Sequence, residues 1–199
     1  MDKQGLARRA LVLETPRLLL AALLPEDQAA LYELYACPEV AEQLSRLPSP
    51  FTMERAQELV EAARAGLAQG HSYTLGIFGR QAASCAGVVA LRLPALDPGL
   101  DEQERAEAAG LGILGYSVHP RHWGQGYATE AARHMVRCAF AELGLDVLQA
   151  SPRQGNPASR RVLERLGFAL VEAGLEEQPL AGGPPHVVDR YLLRRDQQA

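Results

Sequence analysis

The residues best suited to chemistry lie in two short segments. Arg121-His122-Trp123-Gly124-Gln125-Gly126-Tyr127-Ala128 leaves an apolar run and opens an amphipathic one. Glycine at 124 and 126 permits a tight turn whose N–H groups can approach a ligand closely. The first N–H groups of the following helix lack internal partners and carry partial positive charge, which suits a pyrophosphate. The same spacing also suits an ordinary glycine turn between strand and helix. The second segment is Asn156-Pro157-Ala158-Ser159, running on to Leu166-Gly167-Phe168. An asparagine cap, a first-turn proline and a left-handed glycine exit are enough to define a helix. Paired with the first segment, this helix start can also set a polar arm beside a phosphate cradle in one pocket.

Other chemistries find little support. No G-x-x-x-x-G-K-[ST] occurs, which excludes a P-loop nucleotidase. Gly110-Leu111-Gly112-Ile113-Leu114-Gly115 matches G-x-G-x-x-G by letter, but a strand contains it and an acidic loop precedes it. A dinucleotide fingerprint must instead follow a strand and open a helix, so these glycines read as strand flexibility or close packing. Cys37, Cys85 and Cys138 form no C-x-x-C pair and are odd in number, against a disulfide framework and for a reducing compartment. His119 and His122 have no nearby cysteine or carboxylate to complete a metal set, and no metal is expected. A formal charge of -4 offers no basic face for nucleic acid. The composition, 47% hydrophobic and 22% charged over 199 residues, fits one soluble domain spanning 1–199. The apolar run at 18–24 is too short to cross a bilayer. Glu14 and Arg17 before it and Pro25-Glu26-Asp27 after it argue against an export signal, so a cytoplasmic protein without a membrane partner is expected.

The elements that must position the two segments follow from periodicity and punctuation. Residues 1–10 read as a loose polar end and 18–23 as a first strand. Helices are expected over 29–35 and 52–68, the second capped by Thr52 and ended by Gly70. Strands over 73–78 and 85–93 form a hairpin around Gly79, and 94–109 reads as a mobile polar loop. A strand over 111–118 ends at His119-Pro120. In the long helix after it, Ala128, Ala131, Ala132, Met135, Ala139, Phe140 and Leu143 share one face, with Glu130, Arg133, His134 and Arg137 on the other. A strand over 147–151, a helix over 156–166, and strands over 168–172 and 187–193 complete the chain, with a Gly/Pro-rich turn between the last two. The order is that of a mixed α/β sheet built around a strand-loop-helix unit.

These residues carry a family resemblance. Arg121-x-x-Gly124-x-Gly126 resembles the Q/R-x-x-G-x-G/A acyl-CoA loop of GNAT acetyltransferases. Gly115-Tyr116-Ser117-Val118-His119-Pro120, Trp123-Gly-Gln-Gly-Tyr-Ala-Thr-Glu-Ala, Thr15-Pro16-Arg17-Leu18 and Asn156-x-x-Ser159 with Leu166-Gly167-Phe168 resemble the RimJ/RimL-type branch of ribosomal-protein-alanine N-acetyltransferases. The likeness covers residues 13–195 and is strongest over 113–170. It implies a single α/β (α+β) domain: a mixed, mostly antiparallel twisted sheet flanked by helices, with a splayed-strand cleft for acyl-CoA. The pantetheine arm would pair with the strand ending at Val118. The N–H groups from His122 through Trp123, Gly124, Gln125, Gly126 and Tyr127 to Ala128 would hold the pyrophosphate. Asn156 and Ser159 would meet the pantetheine end. Arg121 and Arg160 are candidate partners for outer phosphates, or solvated surface arginines.

The implied reaction is transfer of an acetyl group from acetyl-CoA to a primary amine, either a protein N-terminus or a small amine such as an amino acid, polyamine or antibiotic. Another acyl-CoA, such as succinyl-CoA, and a non-catalytic acyl-CoA-binding protein of the same fold are the alternatives; a homodimer is compatible with either. Many GNAT enzymes place a tyrosine seven residues after the motif asparagine as proton donor to the thiolate. Leu163 stands there in this chain, and Ser159 takes the role by its likeness to the RimL-type arrangement. Relatives often carry glutamate two residues before the Gly-Tyr pair; here that residue is Ile113. The base is therefore open between Tyr116, His119 and a carboxylate from 101–107.

Overall fold

The computed structural model describes residues 8–44, 50–80, 84–177 and 185–198. Eight strands form one sheet: β1 (Val12–Glu14), β2 (Leu18–Ala22), β3 (Ser72–Gly79), β4 (Cys85–Arg92), β5 (Leu111–Val118), β6 (Val147–Ala150), β7 (Ala169–Glu177) and β8 (His186–Arg194). Their order is β1-β2-β3-β4-β5-β6-β8-β7. Every neighbouring pair is antiparallel except β5 and β6. The helices are α1 (Gln28–Ala36), α2 (Pro38–Ala41), α3 (Met53–Gln69), α4 (Glu102–Glu107), α5 (Tyr127–Ala141) and α6 (Pro157–Arg165). This is the mixed, mostly antiparallel sheet with flanking helices that the sequence implied. Among the described residues, no helix is long and apolar enough to cross a membrane.

The sheet is covered on both faces because successive strand side chains point to opposite sides. Val89 and Leu91 of β4 join the core beneath α5 and α6, with Ala131, Met135, Ala139 and Leu163. Val88, next to Val89 and so on the opposite face, joins a second core with Leu31, Leu34, Val60 and Ala63 of α1 and α3. The helix ends follow local chemistry. Thr52 accepts from the Arg55 N–H (3.3 Å), and Gly70 closes α3 at φ 76°. Asn156 Oδ1 accepts from the Ser159 N–H (3.0 Å) and starts α6 behind Pro157. Of the expected apolar stripe, Ala131, Ala132, Met135 and Ala139 are buried and Val136 joins them, while Ala128 and Phe140, and Leu143 just past the end of α5, are half-buried against the same core.

Two expectations are corrected and one strand is added. Val12–Glu14, between the loose end read over 1–10 and the strand read over 18–23, is a strand paired to β2 across a turn in which the Thr15 N–H donates to Leu18 O (2.9 Å). The polar stretch at 94–109 is not a structureless loop. Pro94–Leu96 forms a 3-10 turn, and Asp101 exchanges hydrogen bonds with Glu104 in a capping box that starts α4. The last hairpin is longer than read, nine residues in each strand, because β7 continues past two register shifts along β8. The expected turn at its tip lies largely outside the described residues.

One feature of the sheet matters most for function. β5 follows β4 along its length, from Arg92↔Ile113 to Gly87↔Val118, and the His119 N–H still donates to Ala86 O (2.9 Å). β6 meets β5 at only three positions, Leu111↔Val147 to Ile113↔Gln149. Beyond them the chain after β6 stays with β8: the Asp189 N–H donates to Pro152 O, Arg153 bridges Val188, and the Gln154 N–H donates to Val187 O. Each strand remains satisfied by its outer neighbour, and the two part. Close approach secures the β4 side. A Cβ at Gly87 would collide with the Ser117 carbonyl and lie 2.9 Å from Val118 Cα. Gly87→Ala is therefore expected to push β5 from β4 at the cleft and destabilise the protein by about 1–3 kcal/mol, read as the shift in urea unfolding.

Candidate functional site

Where β5 and β6 part, a cavity of about 530 Å³ opens between the start of α5 and the start of α6. Of the residues singled out in the sequence, Tyr116, Val118, His122, Trp123, Gly124, Gly126, Tyr127, Ala128, Asn156 and Ser159 line it. Its upper wall is the loop into α5. Gly124 and Gly126 adopt φ of 73° and 77°, a left-handed conformation that strains residues bearing a Cβ. Gly126 is the N-cap and has no side chain with which to cover the first amides of α5. Tyr127, Ala128 and Thr129, whose amides form the positive end of a fifteen-residue helix, line the cleft. Trp123 ties the loop back to the strand, its indole N–H donating to Val118 O at 2.6 Å while the ring remains half exposed. The His122 ring stacks on Tyr127, centroids 5.6 Å apart.

The loop is also held from the far end of the chain. The Thr15 hydroxyl donates to Glu130 Oε1 (2.6 Å), as does the Arg17 N–H (2.8 Å). The Arg17 guanidinium bonds Glu130 Oε2 (2.6 Å) and the Gln125 carbonyl (2.8 Å). Glu130 belongs to the face of its helix opposite the apolar stripe, and its carboxylate is mostly buried in this clamp. Burial pushes its carboxyl up, but the hydrogen bonds from Thr15 and Arg17 and the Arg17 charge outweigh it and hold the group below its ordinary value.

At the other end of the cavity Tyr116, on β5, meets Ser159, on α6. Their hydroxyl oxygens are 2.9 Å apart, and the Tyr116 hydroxyl lies 3.1 Å from the Ser159 carbonyl. Burial drives the Tyr116 phenol up to about 12, against the opposing effect of the Ser159 hydrogen bond. The phenol is therefore neutral across the working pH range.

The remaining candidates lie elsewhere. Arg121 pairs with Glu33 (3.0 Å) and packs on His119, whose Nδ1 accepts from the Arg121 N–H (3.2 Å). Burial, then the neighbouring Arg121 charge, lowers the His119 pKa. Arg160 pairs with Glu164 one turn on (3.4 Å). Gln125 contributes its carbonyl to the Arg17 clamp, and its side chain donates to Arg121 O (3.2 Å). None of these four lines the cavity. Sequence reasoning passed over Arg161 and Arg165, which do line it. Their spacing of four was the available signal, since it puts both on one stripe of α6, about 100° from Arg160. No aspartate or glutamate is among the described residues lining the cavity, so the acidic stretch at 101–107 supplies no base there. Among the described residues, no group of three or more His, Cys, Asp or Glu side chains could hold a metal ion.

Comparison with known proteins bears on the same region. Residues 17–169 match the model of the acetyltransferase (GNAT) domain. The uncharacterized N-acetyltransferase YoaA of Bacillus subtilis is 26% identical over 182 residues, 92% of this chain and 96% of its own. Among solved structures, RimL, a ribosomal L7/L12 alpha-N-protein acetyltransferase in complex with coenzyme A, has a TM-score of 0.73 at 18% identity, covering 94% of this chain and 100% of that one. Spermidine N-acetyltransferase from Vibrio cholerae, in complex with CoA and spermine, has a TM-score of 0.71 at 17% identity, covering 92% of this chain and 98% of that one.

The clamp makes a prediction of its own. A carboxyl held below its unfolded value stabilises the fold above that value, and the contribution fades as pH falls through the folded value. Glu130→Gln should lower unfolding free energy at neutral pH by about 1–3 kcal/mol. In urea titrations the gap from wild type should narrow as pH is lowered through the carboxylate range.

Proposed function

Because this chain belongs to the GNAT acetyltransferase family, by the match of residues 17–169 to that domain, we propose that it transfers an acetyl group from acetyl-CoA directly to a primary amine. The observation that carries this reading is a single cavity joining uncapped amides at the start of α5 to the paired hydroxyls of Tyr116 and Ser159. The amides, with Arg161 and Arg165 across the cleft, suit the phosphates of a nucleotide-bearing thioester. The β5 edge beyond Ile113, unpaired with β6, suits an extended arm running alongside it. Coenzyme A is bound in the RimL and spermidine N-acetyltransferase structures of the same fold, which favours an acyl-CoA donor.

In this reading the amine nitrogen attacks the thioester carbon, the carbon–sulfur bond breaks, and the departing thiolate takes a proton. Ser159 supplies that proton. The Tyr116 hydroxyl, neutral at its raised pKa, lies 2.9 Å from Ser159 Oγ and hydrogen-bonds with it, which positions the serine hydroxyl, and Ser159 then recovers its proton from solvent. The amine loses its own proton to solvent; among the described residues, no carboxylate lines the donor cavity. Most of the acceleration would come from holding both reactants in line, worth up to about 7–11 kcal/mol in well-oriented cases.

Two measurements test this. Ser159→Ala should lower kcat by about 10²–10⁴-fold while leaving the Kd for acetyl-CoA nearly unchanged. An unaltered kcat would remove Ser159 from the acid role, and no affinity for coenzyme A or its acyl esters would overturn the whole reading. The pH profile of kcat should rise as the amine is deprotonated and show no falling limb from Tyr116 below its value of about 12.

A further inference from the structure

A second cavity, of about 330 Å³, adjoins the donor cleft and shares Gln43 and Gly155 with it. Gly155 immediately precedes Asn156, so the two spaces meet beside the start of α6, close to the reacting end. This size suits a small molecule rather than a long chain. Its walls carry opposite charges from different elements. Glu42 stands at the end of α2, and Arg153 stands in the segment that follows β6 alongside β8.

Arg153 is half-buried and fixed in place. Its Nε donates to Leu44 O (3.1 Å), and its Nη2 lies 3.0 Å from His186 Nδ1. Among the described residues its Nη1 has no hydrogen-bond partner, and Glu42 has no ion-pair partner. A guanidinium already held by two contacts loses little freedom when it takes a further one, and its planar fork matches a carboxylate.

We propose that this cavity receives the acceptor, and that it selects an amine that also bears a carboxylate, of which a free amino acid is the simplest kind. The inference rests on the acyltransferase reading above. Arg153 holds the carboxylate, while Glu42 draws the ammonium end into the mouth before it is deprotonated. A polyamine satisfies Glu42 but sets a second cation against Arg153. A polypeptide N-terminus has its nearest carboxyl group tied up in a peptide bond and so offers Arg153 no carboxylate.

The test uses the full chain with acetyl-CoA, reading thiol release across the common free amino acids, their carboxamides and spermine. At least one amino acid should be turned over with a KM at least about tenfold below that of its carboxamide. Arg153→Gln should remove that preference by raising KM for the acid, with Tm and the Kd for acetyl-CoA unchanged. The wild-type ratio of acid to carboxamide decides the matter even if the variant does not fold. A carboxamide or spermine used as well as the acid overturns the proposal, as does a preference that survives Arg153→Gln in a folded variant. If no amine is turned over, calorimetry of the amino acids against CoA-loaded protein decides. Binding that is lost with the carboxamide supports the site, and no binding overturns it while leaving the donor site standing. Failure to bind coenzyme A at all would instead overturn the reading beneath.

Discussion

The parting of β5 from β6 is the constraint on which the rest of the molecule depends. Parallel neighbours normally continue their ladder until one of them ends, because an abandoned edge leaves backbone groups without partners. Here each strand has an alternative. β5 is kept by β4 as far as His119, with Gly87 allowing the two backbones to approach closely. The chain beyond β6 is kept by β8 as far as Gln154. Separation therefore costs the sheet only one edge on each side, and in the wedge between those edges the starts of α5 and α6 face a common space.

Each wall of that space is then shaped by a different kind of interaction. On the α5 side it is backbone conformation: two glycines with positive φ turn the chain, and the absence of a side-chain cap keeps the first amides available. Trp123 ties that loop to β5, and the carboxylate of Glu130 holds its far end by gathering Thr15, Arg17 and, through Arg17, the Gln125 carbonyl. On the α6 side it is side-chain hydrogen bonding. Asn156 spends its oxygen on the Ser159 N–H, which fixes the first turn of α6 and so presents the Ser159 hydroxyl to Tyr116. Burial of Tyr116 makes that contact worth more than it would be in water, and keeps the phenol protonated.

Much of this was legible from the residues alone where the deciding physics is local. The glycine turn, the asparagine cap, the apolar stripe of α5 and the breaks at Gly70 and Gly167 are all set by contacts within one helical turn of the residue concerned. The helix at Glu102–Glu107 was local too, since Asp101 and Glu104 form a capping box, but the density of charge around it read as a loop. The short strand at Val12–Glu14 was hidden for another reason: three residues are too few to display alternation, and its pairing depends on a turn at Thr15.

What the sequence determined by itself is therefore the set of parts: a strand-glycine turn-helix unit, a capped second helix carrying Asn156 and Ser159, and the alternating strands between them. Tertiary structure alone decided how those parts face one another. It turned Arg161 and Arg165 into the cleft while pairing Arg121 with Glu33 and Arg160 with Glu164, and it buried Glu130 against residues more than a hundred positions away. It also brought Tyr116 to Ser159 across 43 residues of chain. Short-range rules set the shape of a turn because its partners are already neighbours along the backbone. The direction in which a charged side chain points is set by whichever distant element supplies its opposite charge, and that is known only once the sheet has closed around it.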